Sequence, residues 1–399
     1  MKAGWESKLV GDVLVKTETV NPASKPEQEF EYIDVSSVSN ETFTVVDTQH
    51  LLGKDAPSRA RKLVHTDDIL FATIRPTLQR IALVPEHLDA QVCSTGYFVL
   101  RAGKQVLSKY LFYYLFTQEF TAQMESLQKG ASYPAVNDSD VRSQLIAYPS
   151  LKEQKRIVTL IDEAFAHIAT AKANAEQNLQ NARALFESHL QSVFSRRNKG
   201  WLNKPLGDCV NAISTGPFGS LLHKSDYVFG GTPLVNPINI AGEEIVSNPN
   251  KTVSTETVDR LHAYKLREND IVIARRGEIG RCAVVQKDQS GWLCGTGCFI
   301  IRPSKSTDPH YLTHLLRSAH YRKQLEGVSD RATMPSISNS DLSSLVVVLP
   351  PITEQLNFLE RIKLLSTETQ RLESIYQQKL TALDALKKSL LHQAFCGQL

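Results

Sequence analysis

The run CSTGYFVLR at residues 93–101 returns as CGTGCFIIR at residues 294–302, 201 positions later. Working outward at the same shift, Lys109-Tyr110-Leu111 falls on His310-Tyr311-Leu312, Asp140 on Asp341, Pro149 on Pro350 and Glu153-Gln154 on Glu354-Gln355. Toward the N-terminal side, WESKLVGD (5–12) matches WLNKPLGD (201–208) at a shift of 196, and Asp68 pairs with Asp270 at 202. The second copy is therefore six residues longer in between, and segments 17–62 and 213–262 show no visible alignment. Two tandem copies of a unit of this size predict a pseudo-two-fold object, suited to a partner that offers two similar half-sites.

Each copy reads as a globular part followed by a long helix. DILFATI (68–74) and RIALV (80–84) in the first copy, and DIVIARR (270–276) and RCAVV (281–285) in the second, are short β-rich runs bounded by turn residues. They predict a mixed sheet. Segments 108–129 and 309–327 carry helical spacing, which makes each globular part α+β.

From Lys152 to Arg197 there is neither Pro nor Gly. Apolar residues fall at Ile161, Ala164, Ile168, Ala171, Ala175, Leu179 and Ala182, in steps of three and four with one stutter. Ile362, Leu365, Thr369, Leu372, Tyr376, Leu380 and Leu383 repeat that phase. Two amphipathic helices of this length leave a seam that the simplest solution closes by packing one antiparallel on the other. Ile161, Ile168 and Leu179 are expected to meet Ile362, Leu372, Leu380 and Leu383 across that seam. The expected layout is a globular domain at 1–150, a spacer helix at 151–198, a second globular domain at 199–350 and a second spacer at 351–399.

Composition narrows the function. Apolar residues at 42% and charged residues at 22% describe an ordinary globular chain, and the six cysteines lie mostly in apolar runs, as expected of reduced core residues in the cytoplasm. MKAGWESKLV contains no apolar signal core, and no stretch is long enough to span a membrane. Neither a phosphate loop nor a nucleophile elbow is present. Asp270 and Glu278 lack the lysine that would complete a nuclease site, Cys294 and Cys298 lack a second ligand pair, and no amino-methyltransferase motif occurs. The chemistry is expected to reside in other polypeptides.

The polar clusters point to nucleic acid. Arg59, Arg61 and Lys62 lie in the divergent part of the first copy; Lys224, Ser225, Asn236 and Asn239 lie in that of the second. After each first strand come Arg75, Gln79 and Arg80, against Arg275, Arg276 and Arg281. The aligned loops 129–140 and 329–341 add Lys129 and Arg331. Arginine grips guanine through two hydrogen bonds and Asn or Gln does the same for adenine, while Lys and Ser more often hold phosphate. A shared scaffold with unlike loops is what two readers of different half-sites require.

FATIRPTLQRIALVPE (71–86), CSTGYFVLR, TGPFGSLLHKSDY (215–227), the LKEQKRI run at 151–157 and PPITEQ (350–355), together with the duplicated layout, make the chain resemble the DNA-specificity subunits of type I restriction–modification systems over essentially its whole length. The resemblance implies two target recognition domains that read the halves of a split sequence in double-stranded DNA, held apart by two conserved helices. It implies two adenine methyltransferase subunits carrying S-adenosylmethionine, and two ATP- and Mg-dependent restriction/translocase subunits, with no cofactor on this chain. Recognition loops in that family vary, so the candidate contacts above rest on side-chain chemistry. A non-catalytic coiled-coil scaffold, or a specificity chain of a related defence system, would share much of this layout. A stand-alone nuclease or methyltransferase would need motifs the sequence lacks.

Overall fold

A computed structural model describes residues 4–130, 132–195, 201–217, 221–328 and 335–399, apart from the side chains of 193–195. The chain forms two compact units, 1–177 with 376–399 and 178–375. Each unit thus holds a globular domain, one end of the helix that leaves it and the far end of the helix from the other copy.

In the first unit the central sheet is antiparallel, in the order Leu14–Val15, Tyr97–Ala102, Ile69–Ala72, Ile81–Leu83. All four residues of Ile69–Ala72 are buried because the strand alternates between two cores. Ile69 and Phe71 join Phe98 and Leu100 on the face covered by helices, whereas Leu70 and Ala72 join Tyr97 and Val99 on the other. The second unit repeats this with Val210–Thr215, Cys298–Pro303, Ile271–Ala274 and Cys282–Val284. There Ile271 and Ile273 face one core and Val272 the other.

A second four-stranded sheet completes each unit, so the strands divide between two sheets where the sequence suggests one mixed sheet. In the first unit its order is Gln49–Leu52, Glu29–Ile33, Val92–Ser94, Ala60–Leu63; in the second it is Tyr227–Val228, Thr252–Val253, Thr232–Val235, Leu293–Cys294. Although the segments supplying these strands do not align, each sheet contains one parallel pairing, Ile33 opposite Cys93 and Val235 opposite Cys294. A capped turn follows each at Asp34–Ser37 and Asn236–Asn239. The shared pairing is invisible in sequence because a two-residue ladder constrains backbone more than side chains.

The helical segments 108–129 and 309–327 are each broken in two. Thr117 ends Ser108–Tyr114 and caps Gln118–Leu127 by accepting the Phe120 N–H; its counterpart Ser318 separates Pro309–Arg317 from Ala319–Val328. Glu6–Leu9 pairs with Leu145–Tyr148, and Leu202–Pro205 with Val346–Leu349, bringing the end of each domain back to its start, next to the long helices Leu151–Ser195 and Ile352–Phe395.

At each helix root a fully buried glutamine joins helix to domain. Gln154 Oε1 accepts from Leu107 N at 2.9 Å while its Nε2 donates to Gln105 O and Pro149 O, both at 2.9 Å. Gln355 makes the same set with Asp308 N (2.8 Å), Ser306 O (2.9 Å) and Pro350 O (2.8 Å).

The two helices pack antiparallel in each unit. In the first, Ile157, Ile161, Leu391 and Ala394 share one core and Lys172 Nζ donates to Asp384 at 2.7 Å. In the second, Phe186 and Leu190 pack with Phe358 and Ile362, and Arg183 Nε donates to Glu373 at 2.7 Å. Among the expected seam residues Ile161, Ile168 and Ile362 are buried, Leu179, Leu380 and Leu383 are half-buried, and Leu372 stays 38% exposed. Leu372 is therefore less enclosed than its place in the repeat suggests and lies at the edge of the stripe.

Candidate nucleic-acid interface

The turn after the central strand is built alike in both units. Thr73 N donates to Gly96 O and Val136 N to Thr73 O; Arg275 N donates to Gly297 O and Ile337 N to Arg275 O. Arg75 N then donates to Pro134 O where Gly277 N donates to Pro335 O. The backbone is left-handed at both places, φ 50° at Arg75 and 73° at Gly277, and again at Gln79 (52°) and Gly280 (84°). The second unit meets this geometry with glycine, which has no Cβ to clash. The first holds Arg and Gln there at a cost of about 1 kcal/mol each.

Five of the expected contact residues have free or nearly free cationic or polar ends. Arg59, Lys129, Lys224, Ser225 and Arg276 are exposed, with no side-chain hydrogen bond or ion pair among the described residues. Arg75 is also exposed, its guanidinium stacked 5.3 Å from the Tyr133 ring. Arg275 is half-buried over Phe299 at 5.4 Å, and its buried Nε has no partner among the described residues. Burial, with Arg276 beside it, pulls its pKa below the usual guanidinium value.

The others are engaged within the protein. Lys62 Nζ donates to Tyr97 O at 2.6 Å and reaches Asp138 at 3.4 Å, tying the strand Ala60–Leu63 to the loop after Lys129. Arg80 donates to Val38 O at 2.6 Å, and Arg281, its counterpart, reaches Pro237 O at 3.4 Å and pairs with Glu278. Both brace the capped turn that follows the parallel pair. Arg61 bonds to Asn21, and Gln79 Nε2 donates to Thr121 at 3.1 Å. Asn236 is the cap residue of its turn, and Asn239, 5% exposed, donates to Val246 O at 2.9 Å. Arg331 lies outside the described residues.

Sequence reasoning missed four features of this surface. Tyr133, 72% exposed, supplies the plane beneath Arg75, and Arg142 lies 4.9 Å over Phe98. In the second unit Phe229 is 80% exposed on the segment after Tyr227, and Tyr227 stacks with Lys251 at 5.2 Å. An aromatic in a turn-rich segment is the signal that could have found Tyr133 and Phe229; Arg142 carries none.

No cluster of His, Cys, Asp or Glu able to hold a metal occurs among the described residues. The cysteines are free; five are buried, and burial pushes the thiols of Cys93 and Cys282 up to about 12. None of the helices described is long and apolar enough to cross a membrane.

Comparison with known proteins agrees with this architecture. A family model described as the type I restriction modification DNA specificity domain matches twice, at residues 2–181 and 198–382. The chain is 25% identical over 329 residues to the type I restriction enzyme EcoKI specificity subunit of Escherichia coli K12, covering 79% of this chain and 70% of that one. It is 24% identical to the StySPI specificity subunit of Salmonella potsdam, covering 77% and 69%. The HsdS subunit from Thermoanaerobacter tengcongensis superposes with a TM-score of 0.72 at 28% identity, over 100% of this chain and 98% of that one. A chain from work on complex assembly and conformational transition of the type I restriction–modification system gives 0.85 at 28% identity, over 100% and 99%. Duplicated domains, paired long helices and family match converge: the chain belongs to the type I restriction–modification DNA specificity family, whose members are the non-catalytic subunits that determine the DNA target within the complex.

Proposed function

We propose that residues 1–150 and 199–350 each read one half of a split double-stranded DNA sequence, with the helices at 151–198 and 351–399 setting the gap between halves. The observation that carries this reading is the repeated turn after the central strand, which presents Arg75 in one domain and Arg275 and Arg276 in the other on one backbone frame. Arg59, Lys129, Lys224 and Ser225 supply phosphate contacts, and Arg75, Arg275 and Arg276 supply base or phosphate contacts within reach of a groove, with Gln79 held behind them by Thr121. Lys62, Arg80, Arg281, Asn236 and Asn239 shape the reading surface from behind. Two readers on a rigid spacer address one side of the duplex when they stand about one helical turn, roughly 34–36 Å, apart.

In this reading the assembly works in the cytoplasm. The paired helices dock two adenine methyltransferase subunits, which bring S-adenosylmethionine, and two restriction/translocase subunits, which bring ATP and Mg, complete it. The test is to co-express the chain with its methyltransferase subunits and map methylated adenines across the genome. A single split motif of fixed gap is expected, and removing one heptad from both helices should change that gap. Methylation at continuous sites, or a gap indifferent to helix length, would overturn the proposal.

A further inference from the structure

Among the described residues two ion pairs join the long helices, and they are one pair written twice with its charges exchanged. At the repeat shift of 201, Lys172 corresponds to Glu373 and Arg183 to Asp384, yet the contacts are Lys172–Asp384 in one unit and Arg183–Glu373 in the other. Both cations therefore lie on the first helix and both anions on the second. A perfectly repeated sequence would have placed one of each on both helices or like charges on both.

Side-chain size is divided the same way at four of the seven repeated seam positions, while Ile161/Ile362 and Leu179/Leu380 are matched and Ile168/Thr369 runs the other way. The first helix has Ala164, Ala171, Ala175 and Ala182 where the second has Leu365, Leu372, Tyr376 and Leu383. Ala175 is fully buried and Ala182 is 7% exposed, so these small residues lie under larger neighbours. A first helix set against another first helix would bring Lys172 against Arg183 across an alanine seam with voids. A second against another second would bring Glu373 against Asp384 across a crowded seam. Like-charge contacts and mismatched volumes at such positions are how helix pairs reject wrong partners.

We infer that the two helices carry a matched code, basic on the first and acidic on the second at the two paired positions, with the smaller side chain on the first at four of the seven seam positions. Each seam accepts a helix of the other repeat type and rejects a second copy of itself. Each ion pair is partly exposed and weak alone; the selectivity comes from two charge pairs and the size pattern acting together. The inference does not depend on which DNA the domains read.

The test uses three full-length variants: Lys172→Glu with Arg183→Glu, Glu373→Lys with Asp384→Lys, and all four changes together. Each double variant places like charges at both contacts, and its unfolding midpoint should fall on the order of 5 °C at low salt and by less in 1 M salt. The quadruple variant restores opposite charges in the reverse sense and should return to within about 2 °C of the parent. Losses that add in the quadruple variant would overturn the charge code. The two double variants are then unfolded, mixed, refolded and weighed by native mass spectrometry. A 1:1 species is expected, because the acidic first helix of one chain matches the basic second helix of the other. A mixture with no more dimer than either variant refolded alone overturns the inference.

Discussion

Arg101 grips Asp68 through two parallel contacts, Nε to Oδ1 and Nη2 to Oδ2, each 2.8 Å. Asp68 is 1% exposed and also accepts the His65 N–H, and Glu18 closes on the other side of Arg101 at 2.7 Å. The counterpart in the second domain is looser: Arg302 Nε stands 3.5 Å from Asp270, and burial outweighs the arginine to raise the Asp270 pKa. One motif, duplicated, has two strengths. Asp68→Asn should cost about 1.5–3 kcal/mol, the range for losing hydrogen bonds to a charged group, because Arg101 keeps Glu18; Asp270→Asn should cost distinctly less. Urea unfolding of the two variants measures the difference; equal losses would show that the closer geometry adds nothing.

The root glutamines make a second stability prediction. Replacing Gln154 by Leu leaves the Leu107 N–H and the Gln105 and Pro149 carbonyls without their side-chain partner inside the protein. Each buried polar group stripped of its partner costs about 1–3 kcal/mol, so a loss of roughly 3–5 kcal/mol is expected. Gln355→Leu should behave alike. Thermal unfolding reads both, and a loss below about 1 kcal/mol would mean that other groups or water take over the bonds.

At Arg75, stability and binding should part company. Arg75→Gly relieves about 1 kcal/mol of left-handed strain and forfeits the Tyr133 stacking worth about 0.5–1 kcal/mol, while gaining backbone freedom in the unfolded chain. Stability should stay within about 1 kcal/mol of the parent. DNA affinity measured by titration should nevertheless fall, since the exposed guanidinium is gone. Affinity unchanged at the half-site of the first domain removes this turn from the interface.

Arg276, exposed and unpaired among the described residues, and Arg275, whose buried Nε has no partner among them, predict a salt effect. Arg275→Ala with Arg276→Ala should weaken DNA binding and lower the slope of log affinity against log salt by about one for each phosphate no longer neutralised. Weaker binding with an unchanged slope would assign the pair to base edges; no weakening at all would exclude it. Arg281→Ala, which removes a brace of the capped turn, should instead show first as a lower melting temperature.

The sequence by itself determined the duplication, the central strands and both long helices, because apolar alternation and a 201-residue shift are local patterns that side-chain chemistry writes directly. It also separated this chain from enzymes, since catalytic motifs have fixed residue types at short spacing. It placed Arg75, Arg275 and Arg276 in one corresponding turn. Only the tertiary structure decided which polar residues remain free. Lys62, Arg80 and Asn239 are as polar in the sequence as Arg59 or Lys224, yet the fold brings Tyr97 O, Val38 O and Val246 O within 3 Å of them. The partners lie 7 to 42 positions away, so no local pattern announces them. The parallel pairing of Ile33 with Cys93 and Val235 with Cys294 was hidden for the same reason: backbone hydrogen bonds between distant strands need no particular side chains.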